Sequence, residues 1–384
     1  MKYDFDTVHD RRKTDSIKWA VGENELPMWV ADMDFETAPE IKAELVKRAE
    51  HGIFGYSDVT DEWREAYINW WKRRHGFTME GEGLIFCTGV VAAISSIVRK
   101  LTTPNENVLI QTPVYNIFFN SILNNGRRVL ESPLKYDGNA YSVDFADLEE
   151  KLSDKQTTLM ILCNPQNPCG NIWDREALIK IGELCKKHHV TVISDEIHCD
   201  ITKPGKGYIP FCSVSDTCRD IGIMCMAPTK TFNLAGLHTA AVYVHDPYLR
   251  HKVWRGINTD EVGEPSSFAA VGAVAAFNNG GAWLDELREY VYENRRIVTE
   301  FIKNEIKNVS VVYGEATYLL WIDISKIGES VPLAEHIRKT TGLFISPGGQ
   351  YGKTGDGFLR MNIACPKTLL YDGLERLKKG IETY

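Results

Sequence analysis

The sequence predicts an α/β fold: a mostly parallel central sheet with helices on both faces, joined to a smaller α+β domain. Three observations predict it. The middle of the chain alternates short apolar runs with helix-period patterns, as βαβ units do. The apolar runs are continuous rather than alternating, as in strands buried on both faces. The 384 residues exceed what one ordinary core holds, so two domains are expected.

Each element follows in chain order. Residues 61–77 read as an amphipathic helix, with Trp63, Tyr67, Trp70 and Trp71 at helical spacing. That aromatic stripe reads as core, not as a ligand box. Strands are expected at 83–88, 107–112, 157–163, 190–194, 221–227 and 239–245. "VAAISSIVRKL" follows the first strand as a helix. In "DREALIKIGELCKKHH" Leu178, Ile181 and Cys185 share a stripe, and Asp174 can cap the start. A long helix is expected from Trp283 to Ile306, with Leu287, Tyr290, Asn294, Ile297 and Phe301 on one side. "TYLLWIDI" and "GFLRMNIA" then read as strands mixed with helices. The division expected is a large domain, 46–282, and a discontinuous small one, 1–45 with 283–384.

Composition narrows the function. There are 44 basic and 52 acidic residues, for a net charge of −8. Nucleic acid and anionic lipid both need clustered cations, so neither is expected as a partner. The nine cysteines are scattered without a C-x-x-C pair, which argues against a disulfide framework or zinc site and for the cytoplasm. "CKKHH" (185–189) is not expected to bind metal. "MKYDFDTVHDRRKTD" has no apolar signal region, and no apolar run reaches membrane-spanning length.

In open α/β sheets, ligands bind beyond the carboxyl ends of the strands. The polar residues there form a set. Gly89 opens a helix whose free N–H groups suit a phosphate. Tyr115 can stack on a planar heterocycle. Asn167 can donate to a phenolate oxygen. Asp195 can hold a proton on a ring nitrogen. Lys230, in "MAPTKTFNLAGLHTAAV", can condense with an aldehyde. Each alone is an ordinary turn, cap or surface residue. Together, on successive strand ends, they match pyridoxal 5'-phosphate feature by feature.

The sequence resembles the fold-type I PLP-dependent enzymes of the aspartate aminotransferase superfamily. "NPQNPCG", "SDEIH" and "PTKTFNLAGL" carry that likeness. "WVADMDF" (29–35), "FGYS" (54–57), "SDEIHCD" and the run around Lys230 carry a closer one. It is to the MalY/PatB group of cystathionine β-lyases and cysteine desulfhydrases. The resemblance implies a covalent lysine at Lys230, a pyridinium partner at Asp195, a donor at Asn167 and a stacking ring at Tyr115. It implies phosphate contacts from Gly89, Val90, Val91 and Thr229. It implies that Arg360 grips the substrate carboxylate. Tyr56 matches a tyrosine that crosses to a neighbour's phosphate, so a homodimer with two shared sites is implied. The sequence departs from the wider family at three places. His238 stands where an arginine is common, Ala227 where a serine is common, and His198 where a tyrosine is common. These departures point away from transaminases.

The implied activity is α,β-elimination from cystathionine, cysteine or a cysteine S-conjugate, giving a thiol or sulfide, pyruvate and ammonia. Lys230 is the expected base, with burial lowering its ordinary pKa of about 10.4. The alternatives are a class I/II aminotransferase and a non-catalytic regulatory protein that keeps the fold. A nicotinamide-dependent Rossmann enzyme is excluded, because no G-x-G-x-x-G follows the first strand. "SPGGQYGKTGDGF" reads instead as a loop beside the site.

Overall fold

The computed structural model describes residues 2–384. Seven strands form the central sheet: β1 (Leu84–Cys87), β2 (Asn107–Thr112), β3 (Arg128–Pro133), β4 (Thr157–Cys163), β5 (Thr191–Asp195), β6 (Gly222–Met226) and β7 (Ala240–Val244). Their spatial order is β1-β7-β6-β5-β4-β2-β3. The pairs from β6 to β3 are parallel. β7 is antiparallel to both of its neighbours, so the last expected strand runs opposite to the rest. The reason is the connection. Only turns and one short 3-10 segment link β6 to β7, whereas a parallel return is usually made by a crossover helix. The edge strand β3 was not expected. Its sequence, "RVLESP", is partly exposed and lacks a continuous apolar run.

The strands bury both faces. Along β4, Leu159, Ile161 and Cys163 join one apolar cluster, while Met160 and Leu162 join the other. This is the two-residue period of a strand. Helices supply the covering layers. In α1 (Asp61–His75) Trp63, Tyr67, Trp70 and Trp71 are all buried, so the aromatic stripe is core. α2 (Val90–Leu101) follows β1 directly, with Gly89 as its N-cap. α3 (Arg175–Lys187) is capped by Asp174, whose carboxylate accepts from the Ala177 N–H at 2.7 Å. α4 (Gly281–Glu305) is the long helix, with Leu287, Tyr290 and Asn294 buried.

A second, antiparallel sheet forms from β8 (Ser310–Val311), β9 (Leu319–Asp323), β10 (Ser346–Pro347) and β11 (Phe358–Asn362), in the order β8-β9-β11-β10. The N-terminal segment joins this part of the molecule. Leu26–Pro27 pairs in parallel with Leu343–Phe344, and the Asp34 N–H donates to the Ala364 carbonyl at 2.9 Å. Residues 29–35 then cross toward the end of the central sheet. Asn362 Nδ2 donates to the carbonyls of Val30 and Asp32, both at 2.6 Å. Asn233 binds this segment from the other side, through Met33 and Phe35. No helix among the described residues is long and apolar enough to cross a membrane. All nine cysteines are free and buried.

Candidate active site

The topology delivers five loops to one edge of the sheet. β1, β2, β4, β5 and β6 all point the same way, so their carboxyl ends share an edge. The antiparallel β7 begins there, which brings His238 and Thr239 to the same place. A cavity of about 190 Å³ lies at this edge. Gly89, Val90, Val91, Tyr115 and Asn167 line it from β1, β2 and β4. Asp195, His198, Thr229, Lys230 and His238 line it from β5, β6 and the start of β7. A larger groove of about 810 Å³ lies around Arg250 and Trp254. There Arg250 already pairs with Glu82, and the strand-end groups are absent from its walls.

Lys230 is the strongest feature. Its Nζ donates to the backbone carbonyl of Ala31 at 2.5 Å. Burial lowers its pKa from 10.5 to about 8, Asp32 and Asp195 pull it up, and Arg360 pushes it down. An amine at that value is a usable base near neutrality. Asp195 closes β5, in register with Cys163 on one side and Cys225 on the other. Burial pushes its carboxyl up from 3.8 to about 7, against the Ile197 N–H bond and the Lys230 charge. A cationic partner is what such a carboxylate lacks. His198 is buried, and its pKa falls to about 3, first through burial and then through Lys230 and Arg360. It is therefore a neutral imidazole, and its Nδ1 has no partner among the described residues.

Arg360 lies beside the cavity on β11 and is 5% exposed. Its Nη1 donates to Asn167 Oδ1 at 3.2 Å, and its Nη2 to the Trp29 carbonyl at 2.9 Å. The guanidinium lies over the Tyr351 ring, 4.8 Å from its centre, so the glycine-rich segment does border the site. Its Nε is buried without a partner. A planar donor fork held by neutral groups, with a donor unspent, suits an incoming carboxylate. The bond to Oδ1 leaves the Asn167 Nδ2 to donate elsewhere. The turn that carries Asn167 depends on Gly170, at φ 76°, where a Cβ would stand 2.8 Å from the Ala316 carbonyl oxygen.

Pyridoxal phosphate can be tested against this donor set. Gly89 opens α2, so the first N–H groups of that helix have no intrahelical acceptor. Gly89, Val90 and Val91 line the cavity together with the hydroxyl-bearing Thr229. Lys230, Asp195 and Tyr115 line the same cavity, an amine, a carboxyl and a ring of the kinds that an aldehyde, a ring nitrogen and a ring face call for. Buried orphans at His198 Nδ1 and Thr239 Oγ1 add polar capacity. The residues fit the group. Tyr56 stands apart: it is fully exposed and outside the cavity of its own chain.

Side-chain reasoning missed part of the site. The Ala31 carbonyl also accepts from the Tyr318 hydroxyl at 3.0 Å. A backbone acceptor leaves no residue-type signal, and the "WVADMDF" run is visible only as a motif. Asp34 pins that run by accepting from Arg11 and Lys18, both at 2.6 Å, and from Trp19 at 2.8 Å.

The aminotransferase class I and II family model matches residues 15–377. Cystathionine beta-lyase PatB of Bacillus subtilis is 42% identical over 384 residues, covering 98% of this chain and 99% of its own. Protein MalY of Escherichia coli is 30% identical over 388 residues, covering 99% of each. Among solved structures, the PLP-bound C-S lyase from Staphylococcus hominis superposes with a TM-score of 0.93 at 32% identity, over 99% of this chain and 98% of its own.

The Asp195 shift gives a signed prediction for the cofactor-free protein. Between pH 3.8 and about 7 the folded state binds more protons at this carboxyl than the unfolded state does, so stability falls as pH rises through that window. Asp195→Asn removes the titration. Thermal unfolding of both proteins across the window should show the variant gaining on wild type as pH rises. A constant difference contradicts the assignment.

Proposed function

The chain belongs to the aminotransferase class I and II family, in the PatB and MalY branch, and from that premise we propose that it is a PLP-dependent carbon–sulfur lyase. It cleaves cystathionine, cysteine or a cysteine S-conjugate. With one water consumed, the products are a thiol or sulfide, pyruvate and ammonia. The observation that carries the reading is the partly buried Lys230 side chain, its amine at about pKa 8, sharing one cavity with the Asp195 carboxylate. When bound, pyridoxal phosphate supplies an electrophilic aldehyde and an electron-accepting ring.

The chain's own residues do the rest. Arg360 would bind and orient the substrate α-carboxylate through its remaining donors, Asn167 Nδ2 would donate to the cofactor's phenolic oxygen, and Tyr115 would cover its ring face. As a carboxylate, Asp195 would hold the proton on the ring nitrogen, because a neighbouring opposite charge favours the protonated ring. Gly89, Val90 and Val91 offer backbone N–H groups to the phosphate, and Thr229 offers its hydroxyl. His198 stays neutral and polar at the wall. Lys230 Nζ removes the α-proton of the substrate and holds it for the departing sulfur.

The division into a large body, 46–282, and a small one, 1–45 with 283–384, is part of this reading. The pairing of Leu26–Pro27 with Leu343–Phe344 supports it. So is a cytoplasmic homodimer in which Tyr56 reaches the neighbour's phosphate. The exposure of Tyr56, Phe54 and Ile53 on one segment supports that. Sedimentation velocity should return twice the chain mass, and the mass of a single chain contradicts the shared site.

The activity is tested with purified protein, L-cystathionine and no added keto acid. Pyruvate and free thiol should appear together in equal amounts. Lys230→Ala should lower the rate by at least about a thousandfold, as expected when a base and covalent anchor is lost. Turnover that requires a keto acid acceptor, or that survives in Lys230→Ala, contradicts the proposal.

A further inference from the structure

Asp200 is a carboxylate that the proposed chemistry does not use, and it is 4% exposed. Three side chains donate to it. Trp70 Nε1 lies 3.0 Å from Oδ1 and 3.2 Å from Oδ2. His75 Nε2 lies 2.9 Å from Oδ1. The Thr231 hydroxyl lies 2.9 Å from Oδ2. Burial works against its charge, but the bonds from His75, Thr231 and Trp70 outweigh it and hold the carboxyl below its ordinary range.

The placement of these groups gives the cluster a meaning. Asp200 lies in the turn that leaves β5, two residues past His198 and five past Asp195. That turn is closed by Cys199 N–H to the Glu196 carbonyl and by Ile201 N–H to the His198 carbonyl. Thr231 directly follows Lys230, in a turn closed by Phe232 N–H to the Pro228 carbonyl and by Leu234 N–H to the Thr229 carbonyl. The Asp200–Thr231 bond therefore ties the turn that bears Asp195 to the turn that bears Lys230. Trp70 and His75, both on α1, fix the knot to the covering helix layer.

A metal site is the other reading, because His75, Cys199 and Asp200 lie within 4.8 Å of one another. The donors there are already engaged. His75 Nε2 is spent on Asp200 Oδ1 at 2.9 Å. Both Asp200 oxygens already accept hydrogen bonds.

We infer that Asp200 and the Thr231 hydroxyl form a positioning pair that sets where the Lys230 amine stands relative to Asp195. The inference rests on the lyase reading of Lys230. Thr231→Val removes the donor and keeps the shape; Thr231→Ser keeps the donor. The full-length proteins are compared in three ways: melting temperature, the rate at which apoprotein captures pyridoxal phosphate on Lys230, and kcat with KM for cystathionine. Capture is followed by borohydride trapping and peptide mass spectrometry. Thr231→Val should capture the cofactor and turn over more slowly, each by on the order of tenfold. KM should change little, since Arg360 is untouched, and Thr231→Ser should recover most of the loss. Equal losses in both variants, a Thr231→Val protein that matches wild type, or one that only unfolds while Thr231→Ser is normal, overturn the inference alone. Wild-type protein that captures no cofactor on Lys230 overturns the lyase reading first, and this inference with it.

Discussion

An amine taken out of water must find an acceptor, and that constraint organises this molecule. Lys230 stands beyond the end of β6 with its Nζ on the Ala31 carbonyl. Ala31 is almost two hundred positions earlier in the chain. For that acceptor to be in place, the N-terminal segment has to cross the edge of the central sheet and be held there. The holding groups are Asn362, on β11 of the second sheet, and Asn233, three residues past Lys230 itself. Asp34, loaded with bonds from Arg11, Lys18 and Trp19, fixes the same segment. The partly buried amine thus meets its acceptor where the two sheets and the N-terminal segment come together.

The electrostatics follow from the same burial. Desolvation lowers the Lys230 value and raises that of Asp195, so each group is drawn toward its neutral form. Neither is comfortable alone, because an isolated buried charge is costly. A cationic heterocycle between them would satisfy the carboxylate and leave the amine free to move protons. Arg360 is arranged the other way. Its charge is held by a neutral amide, a backbone carbonyl and an aromatic face, with no carboxylate among these partners.

The sequence was most legible where side-chain type carries the information. The continuous apolar runs marked the buried strands to within a residue or two, since a strand covered on both faces tolerates little else. Lys230, Asp195, Asn167 and Tyr115 were readable as a set, because they fall together on successive strand ends, where each alone would be ordinary. Legibility failed where the signal lies in the backbone or in topology. β3 is a partly exposed edge and lacks the pattern of a central strand. The direction of β7 is set by a connection without a crossover helix, not by its own residues. The Ala31 carbonyl belongs to a residue with no functional side chain, and Tyr318 reaches the site through its hydroxyl on that carbonyl and its ring against His198. Tyr56 was read from a motif, and a single chain leaves it on the surface.

The most direct measurement is a crystal structure of the full chain grown with pyridoxal 5'-phosphate. The account predicts continuous density from Lys230 Nζ to the cofactor, an Asp195 oxygen within about 3 Å of the ring nitrogen, and the phosphate at the start of α2. Cofactor bound elsewhere, or a ring turned so that Lys230 and Asp195 do not flank it, would contradict the account.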